Sequence, residues 1–238
     1  MKKICIALVA LTSLFSCNKK DSNHNLTING KIEGLRQGTL YIQTYADSNV
    51  VTLDSIKIEG NSNFESHLTI NEPEMLYLTL NRGISKSMDN VLPFFAEPGT
   101  MTIETSLKSF YSNAKINGSE NNDLYEDFIK LSQRYSDEEN KTLSLTLLAK
   151  KVNDPIRVDS LIQRADKLKL RRYLDIINFA VNNGKHEVAP YVVLTEIPDA
   201  NLSYLDTIQK SMSPEVAKSK YGKMLMEYIE KRKETEQK

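Results

Sequence analysis

The hydrophobic residues of this chain change their spacing once, near Gly118, and that change limits the fold more than any other feature. From Leu26 to about Gly118, short β-rich runs are broken roughly every 8 to 12 residues by turn formers, the spacing of a sandwich. The breaks fall at Gly34 and Gly38, Asp47-Ser48-Asn49, Gly60-Asn61, Asn71-Glu72-Pro73, Asn81-Arg82-Gly83 and Pro98-Gly99. Within Thr39 to Tyr45, Leu40 and Ile42 fall on one face and Tyr41, Gln43 and Tyr45 on the other, the period of a half-buried strand. About eight strands are expected over residues 26–118.

After Gly118 the period moves toward 3.6. Ser119 can cap a helix whose apolar stripe is Leu124, Phe128, Leu131 and Tyr135. Ser136-Asp137-Glu138-Glu139 reads as a capping box, with a hydroxyl and a carboxylate placed to satisfy two orphan backbone donors. Asp154-Pro155 sets the next N-cap and first position. That helix carries Val158, Leu161, Ala165 and Leu168, then Leu170, Leu174, Ile177 and Val181, and stops at Asn182-Asn183-Gly184. The two rows are offset by two residues, so its buried face is expected to rotate. A short helix is expected after Pro190, another over Leu202 to Met212, and a last one from Ser213-Pro214 carrying Leu225, Tyr228 and Ile229. The tail from Glu230 to Lys238 has no apolar anchor and is expected to fray. The predicted fold class is α+β: an N-terminal antiparallel β-sandwich over 26–118, followed by an all-helical region over 119–238.

The start of the chain has a different logic. Met1-Lys2-Lys3 is cationic, and the uncharged run from Ile4 to Phe15 has the length of a signal-peptide core. It is shorter than the ~20 apolar residues that span a bilayer. Leu14, Ser16 and Cys17 resemble a bacterial lipobox, with an aliphatic residue three before the cysteine and a small residue directly before it. The resemblance implies removal of residues 1–16 and attachment of diacylglycerol to Cys17, with acylation of the new amino group, commonly by palmitate. Two or more acyl chains hold a protein stably at a membrane. Residues 17–25 are polar and read as a tether.

Processing on this scheme would leave no free thiol, since the only cysteines are Cys5 and Cys17. A disulfide framework, a thiolate zinc site and a CxxC redox centre would all be excluded. The processed chain would carry 29 basic and 31 acidic residues, and such near-neutrality argues against nucleic acid as a partner. Residues 119–238 hold 20 charges of each sign, the pattern of a solvated helical surface.

Four segments, Leu26 to Gly34, Leu53 to Glu65, Phe94 to Ile103 and Ile116 to Phe128, resemble the domain-of-unknown-function family 4369. That resemblance implies the N-terminal β-domain of a bacterial envelope lipoprotein. Pro190 to Met224 resembles the helical connector of its longer members, in which a thioredoxin-like domain with a CxxC follows. No such segment lies within the 238 residues, so the thiol-disulfide activity is not carried over. Glu97-Pro98-Gly99 reads as a turn before a strand.

Searches for catalytic sets fail on particular residues. His186-Glu187-Val188-Ala189-Pro190 begins like H-E-x-x-H but places proline at the second ligand. His24, His67 and His186 share no ligand spacing. Ser112-Asn113-Ala114-Lys115 spells S-x-x-K in a strand-like segment, where the lysine cannot sit one helical turn from the serine. Asp137, Glu138 and Glu139 are explained by capping and the helix dipole, and Glu72 and Glu74 by a turn around Pro73. Lys167, Lys169, Arg171 and Arg172 have Asp166 and Asp175 as acidic neighbours and read as a solvated face. Tyr41, Tyr45 and Tyr77 could form a platform for sugar rings or a partner protein, or pack beneath the helices.

The expected function is therefore that of a non-enzymatic, lipid-anchored cell-envelope protein presenting a binding or scaffolding surface. The expected site is the lipid attachment at Cys17, with no catalytic, metal or cofactor residues. The expected location is the outer membrane, facing the periplasm, with an unidentified protein partner. Two alternatives stand beside it: an accessory protein docking in trans to a thioredoxin-like oxidoreductase, and a glycan-binding lipoprotein.

Overall fold

The computed structural model describes residues 24–46, 49–81 and 88–236. The leader, Cys17, the tether up to residue 23 and the turns at Asp47-Ser48 and Arg82-Gly83 lie outside the described residues. Asn25 belongs to the fold and not to a tether: its side chain accepts from Ile70 N (2.9 Å) and donates to Ile70 O (2.6 Å).

Among the described residues, eight strands form two four-stranded sheets. They are β1 (Leu26–Glu33), β2 (Gln37–Ala46), β3 (Asn49–Glu59), β4 (Asn63–Leu68), β5 (Glu74–Asn81), β6 (Val91–Ala96), β7 (Gly99–Ser106) and β8 (Lys115–Asn117). The first sheet has the order β4-β1-β7-β8 and the second β3-β2-β5-β6. All pairings are antiparallel except β1 with β7, which run parallel from Leu26↔Gly99 to Glu33↔Ser106. A parallel pair needs a long crossover, and here the whole second sheet lies in sequence between the two strands.

Period-two patterning places the core between the sheets. Leu26, Ile28, Phe64, Met101 and Ile103 of the first sheet meet Leu40, Ile42, Leu76, Leu78 and Phe94 of the second. Ser66, buried on β4, donates its hydroxyl to the Asp54 carboxylate on β3 and ties the sheets at their edge.

Among the described residues, six α-helices follow: α1 (Glu120–Lys151), α2 (Pro155–Asn182), α3 (Val188–Glu196), α4 (Leu202–Ser211), α5 (Pro214–Lys218) and α6 (Lys220–Glu236). Ser119 caps α1 by accepting from Asn122 N (2.9 Å), and Asp154 caps α2 by accepting from Arg157 N (3.1 Å). None of the helices among the described residues is long and apolar enough to cross a membrane.

Several local expectations are corrected. No helix starts at Ser136; α1 runs through it. Phe128, Tyr135, Thr142 and Ala149, spaced by seven and all buried, continue one seam and override the local start signal. The buried face of α2 turns along its length, though not through every residue expected: Val158, Leu161, Ala165 and Leu168 face inward on the arm, Ile176, Ile177 and Ala180 near the sheet, with Arg172 between them, while Leu170 (59% exposed) and Leu174 (36%) face out. Arg172 takes a core-facing position because Glu196 on α3 meets its guanidinium at 2.9 Å. Helix α3 starts at Val188, so Pro190 sits in its first turn, where a backbone donor is not needed.

The last helix is divided at Ser219, whose hydroxyl donates to Val216 O (2.7 Å) and accepts from Gly222 N (3.3 Å). A Cβ on Gly222 would lie 1.9 Å from Val216 O, so only glycine permits this turn. The tail stays helical to Glu236. Lys233 meets Asp206 at 3.0 Å, and Arg232 donates to Pro198 O at 3.0 Å, giving it polar anchors where apolar ones are absent.

Candidate functional site

The helices sit on the outer face of the second sheet, and the junction carries much of the polar chemistry of the molecule. Met75 on β5 and Phe95 on β6 point away from the sandwich core into a second core with Phe128, Ile177, Val188, Val192 and Leu225. Strand β6 is an edge, and its outward Phe95 N–H donates to Asn122 Oδ1 (3.0 Å). Met75 lies beyond the reach of β2, and its N–H donates to Tyr221 Oη (3.0 Å). Two sheet donors that would be buried without partners are thus satisfied from α1 and α6.

The Glu97 carboxylate receives the first backbone donors of α1, Glu120 N at 3.2 Å and Asn121 N at 2.7 Å, where the helix dipole favours negative charge. The Asn121 amide donates to Glu97 and Glu187, and its oxygen accepts from Val188 N at 2.7 Å. Gly118 turns the chain into α1 at φ 95°, and a Cβ there would lie 2.3 Å from Thr100 O. Sequence reading assigns Glu97-Pro98-Gly99 to a turn; the carboxylate is in addition a cap on a helix 23 residues later. The ordinary signal for this, an acidic residue near a helix start, is hidden by sequence distance.

Glu72 and Glu74 are committed to the same junction. Glu72 accepts from Lys220 N (2.7 Å), and Glu74 pairs with Lys220 Nζ (2.6 Å) and accepts from Thr44 Oγ1 (3.3 Å). Tyr77, Tyr125, Tyr191 and Tyr221 gather beside Phe95, and burial pushes all four phenols above the usual tyrosine range. Tyr77 therefore packs beneath the helices. Tyr45 stands edge-on to it (5.0 Å between centroids) and remains 52% exposed, and Tyr41 is half-buried.

The remaining sequence candidates are dispersed. His186 lies 3.8 Å from Glu120, with Pro190 buried in α3. His24 and His67 stack at 6.0 Å, which their sequence spacing conceals, and His67 Nε2 approaches Glu65 at 3.4 Å. Among the described residues no group of three or more His, Cys, Asp or Glu converges as a metal site. Ser112 lies in a turn and Lys115 starts β8, so no helical turn joins them. Glu138 pairs with Arg164 at 2.6 Å within α1 and α2. Lys167, Lys169 and Arg171 are exposed.

A group of exposed apolar side chains lies elsewhere. Helices α1 and α2 form an antiparallel hairpin, and the helical core takes no residue from between Ile129 and Tyr173. Beyond that point the hairpin is an arm, about 30 Å long at 1.5 Å per residue. At its base Tyr135 donates to Asp175 (2.5 Å); burial, aided by that carboxylate, pushes the phenol up to about 12.

The arm is built inside out. Its seam holds small or modest residues: Thr142 and Ala149 on α1 face Val158, Leu161 and Ala165 on α2. The larger side chains are outside, with Leu143 and Leu147 each 58% exposed, Leu148 60%, Val152 69% and Ile156 83%. A groove of about 480 Å³ runs along one flank between Leu143, Thr146, Ile162 and Ala165. The buried Thr142 hydroxyl at this seam has no hydrogen-bond partner among the described residues.

Comparison with known proteins gives one family. The model described as Domain of unknown function (DUF4369) matches residues 26–125. No match was found among curated proteins. The matched region takes in all eight strands and the opening of α1, including Glu97, Asn121 and Asn122. The region similar to DUF4369 is thus residues 26–125, a β-sandwich together with the helix start that its own Glu97 caps.

Proposed function

We propose that the chain is a lipid-anchored cell-envelope protein that acts by binding, with the α1–α2 arm as its contact surface. The observation that carries this reading is the exposure of Leu143, Leu147, Leu148, Val152 and Ile156 around the end of a hairpin that projects from the rest of the molecule. Clustered exposed apolar side chains of this kind mark interaction sites. The anchoring half of the reading rests on the resemblance of Leu14, Ser16 and Cys17 to a lipobox, with the outer membrane and its periplasmic face as the location. The carboxylates that could have served acid-base chemistry, Glu72, Glu74 and Glu97, are occupied by helix ends and Lys220, which supports a binding role over a catalytic one.

Two measurements test it. Intact-mass analysis of the membrane-extracted protein is expected to show a chain beginning at Cys17 with added lipid; a retained leader or a bare thiol would overturn the anchor. Crosslinking in membranes is expected to recover a reproducible set of proteins with the parental chain and to lose it with Leu148→Glu plus Val152→Glu. Identical recovery from both would overturn the arm as the contact surface. Recovery of a thioredoxin-like oxidoreductase in that set would move the reading to an accessory redox role.

A further inference from the structure

The flank of α1 beside the groove carries an order of side chains that is complementary to itself. Glu139, Leu143, Leu147 and Lys150 follow one another at spacings of four, four and three, so they lie along one side of the helix. Leu143 and Leu147 are exposed, as is Lys150, while Glu139 is half-buried at the groove. The charged pair and the leucine pair share a midpoint within half a residue, near position 145. Reversing the helix about that point exchanges acid for base and leucine for leucine.

We infer that the arm pairs with the arm of a second copy of this chain, through antiparallel α1 helices related by a two-fold axis near residue 145. Each Glu139 then faces Lys150 of the other copy, and each Leu143 faces the other copy's Leu147. The leucines enter the groove between Leu143, Thr146, Ile162 and Ala165, and four helices replace two. A two-fold contact uses the same patch on both copies, which is the condition that a self-complementary row meets.

The packing explains why the large residues are outside. A hairpin that stands alone would place leucines on both sides of the seam; on α1 this one places Thr142 and Ala149 there, opposite Leu161, and leaves Leu143 and Leu147 on the flank. A footprint about 17 Å long and two helices wide (~20 Å) is roughly 350 Å² per copy, under half of the ~800 Å² per partner of a stable interface, so the pairing is weak and reversible. It rests on the arm being a contact surface and is independent of the anchor.

The test uses the full chain in cell membranes. Two differently tagged copies, one with Leu143→Cys and the other with Leu147→Cys, are co-expressed and oxidised, and the parental chain sets the background from Cys5 and Cys17. A disulfide joining the two tags is expected at several times the yield given by a pair carrying Ser144→Cys on the outer face of α1. Adding Glu139→Lys to both copies is expected to lower the yield at least fivefold, and adding Lys150→Glu as well to restore it within twofold. Yields equal to the Ser144→Cys pair, or no response to either charge change, overturn the proposal. So does insertion of the tip into lipid, which would protect Leu148→Cys and Val152→Cys from a water-soluble maleimide without any link between copies. Recovery of other proteins is scored separately by the Leu148→Glu plus Val152→Glu chain, so the pairing and the binding role can each fail alone.

Discussion

The same two helices live under opposite conditions at their two ends. Where α1 and α2 meet the sheet, Phe128, Ile177 and Ala180 are buried, and Asn121 and Asn122 are hydrogen-bonded on their polar atoms. Forty ångströms of helix connect this to ends where leucine faces water, on the geometry of about 1.5 Å per residue. Burial at the base comes with long-range polar pairing; exposure at the tip comes with apolar bulk that the chain itself does not cover. Stability is concentrated at the junction, and the arm is free to serve something else.

Mutations should separate the ends. Phe95→Ala is expected to cost about 3–5 kcal/mol, because it empties a fully buried aromatic site between sheet and helices. Denaturant unfolding measures it, and a loss under 1 kcal/mol would show that the junction is not a true core. Asn122→Ala removes the acceptor for Phe95 N–H in a buried place and is expected to cost about 1–3 kcal/mol. The same experiment reads it out, with retained strand signal showing whether the edge survives.

Alkali should act on the junction next. The four tyrosines there have folded-state pKa values raised by burial, so their neutral form is favoured in the folded protein. Their contribution is fully present below the unfolded value near 10 and is lost as pH rises from there toward the folded values. Stability is expected to fall by up to about 1.4 kcal/mol per pH unit for each tyrosine above pH ~10, with tyrosinate absorbance appearing together with unfolding. Absorbance rising well before unfolding would mean that the cluster is open to solvent.

Glu97→Gln keeps a hydrogen-bond acceptor but removes the charge at the start of α1 and is expected to cost about 0.5–1 kcal/mol. Smallest of all, Leu147→Ser on the arm is expected to change the stability of the isolated copy by less than about 0.5 kcal/mol, since the side chain is largely exposed. A loss of 2 kcal/mol or more there would erase the contrast between tip and base.

Periodicity made the larger architecture legible. Alternation and turn spacing marked the strand region and an expected number of about eight strands, and Asp154-Pro155 and Ser119 marked helix starts, because these signals depend on residues within a few positions of each other. What was hidden depends on distant partners. Arg172 reads as surface until Glu196 is brought beside it, and only then does it join the inward row of α2 between Leu168 and Ile176. The Ser136 box lost to a seven-residue seam that only a neighbouring helix makes visible. The parallel pairing of β1 with β7 is a property of topology that alternation cannot reveal. For the candidate site, the leucines of the arm were legible as apolar residues, but their outward direction depends on which flank α2 occupies.

The bond between Met75 and Tyr221 spans 146 residues. Strand β5 can be paired by β2 and β6 once residue 96 is made, but its Met75 N–H finds a partner only when α6 arrives. Such long-range closure slows folding and prolongs the interval in which newly made chains can stick to one another.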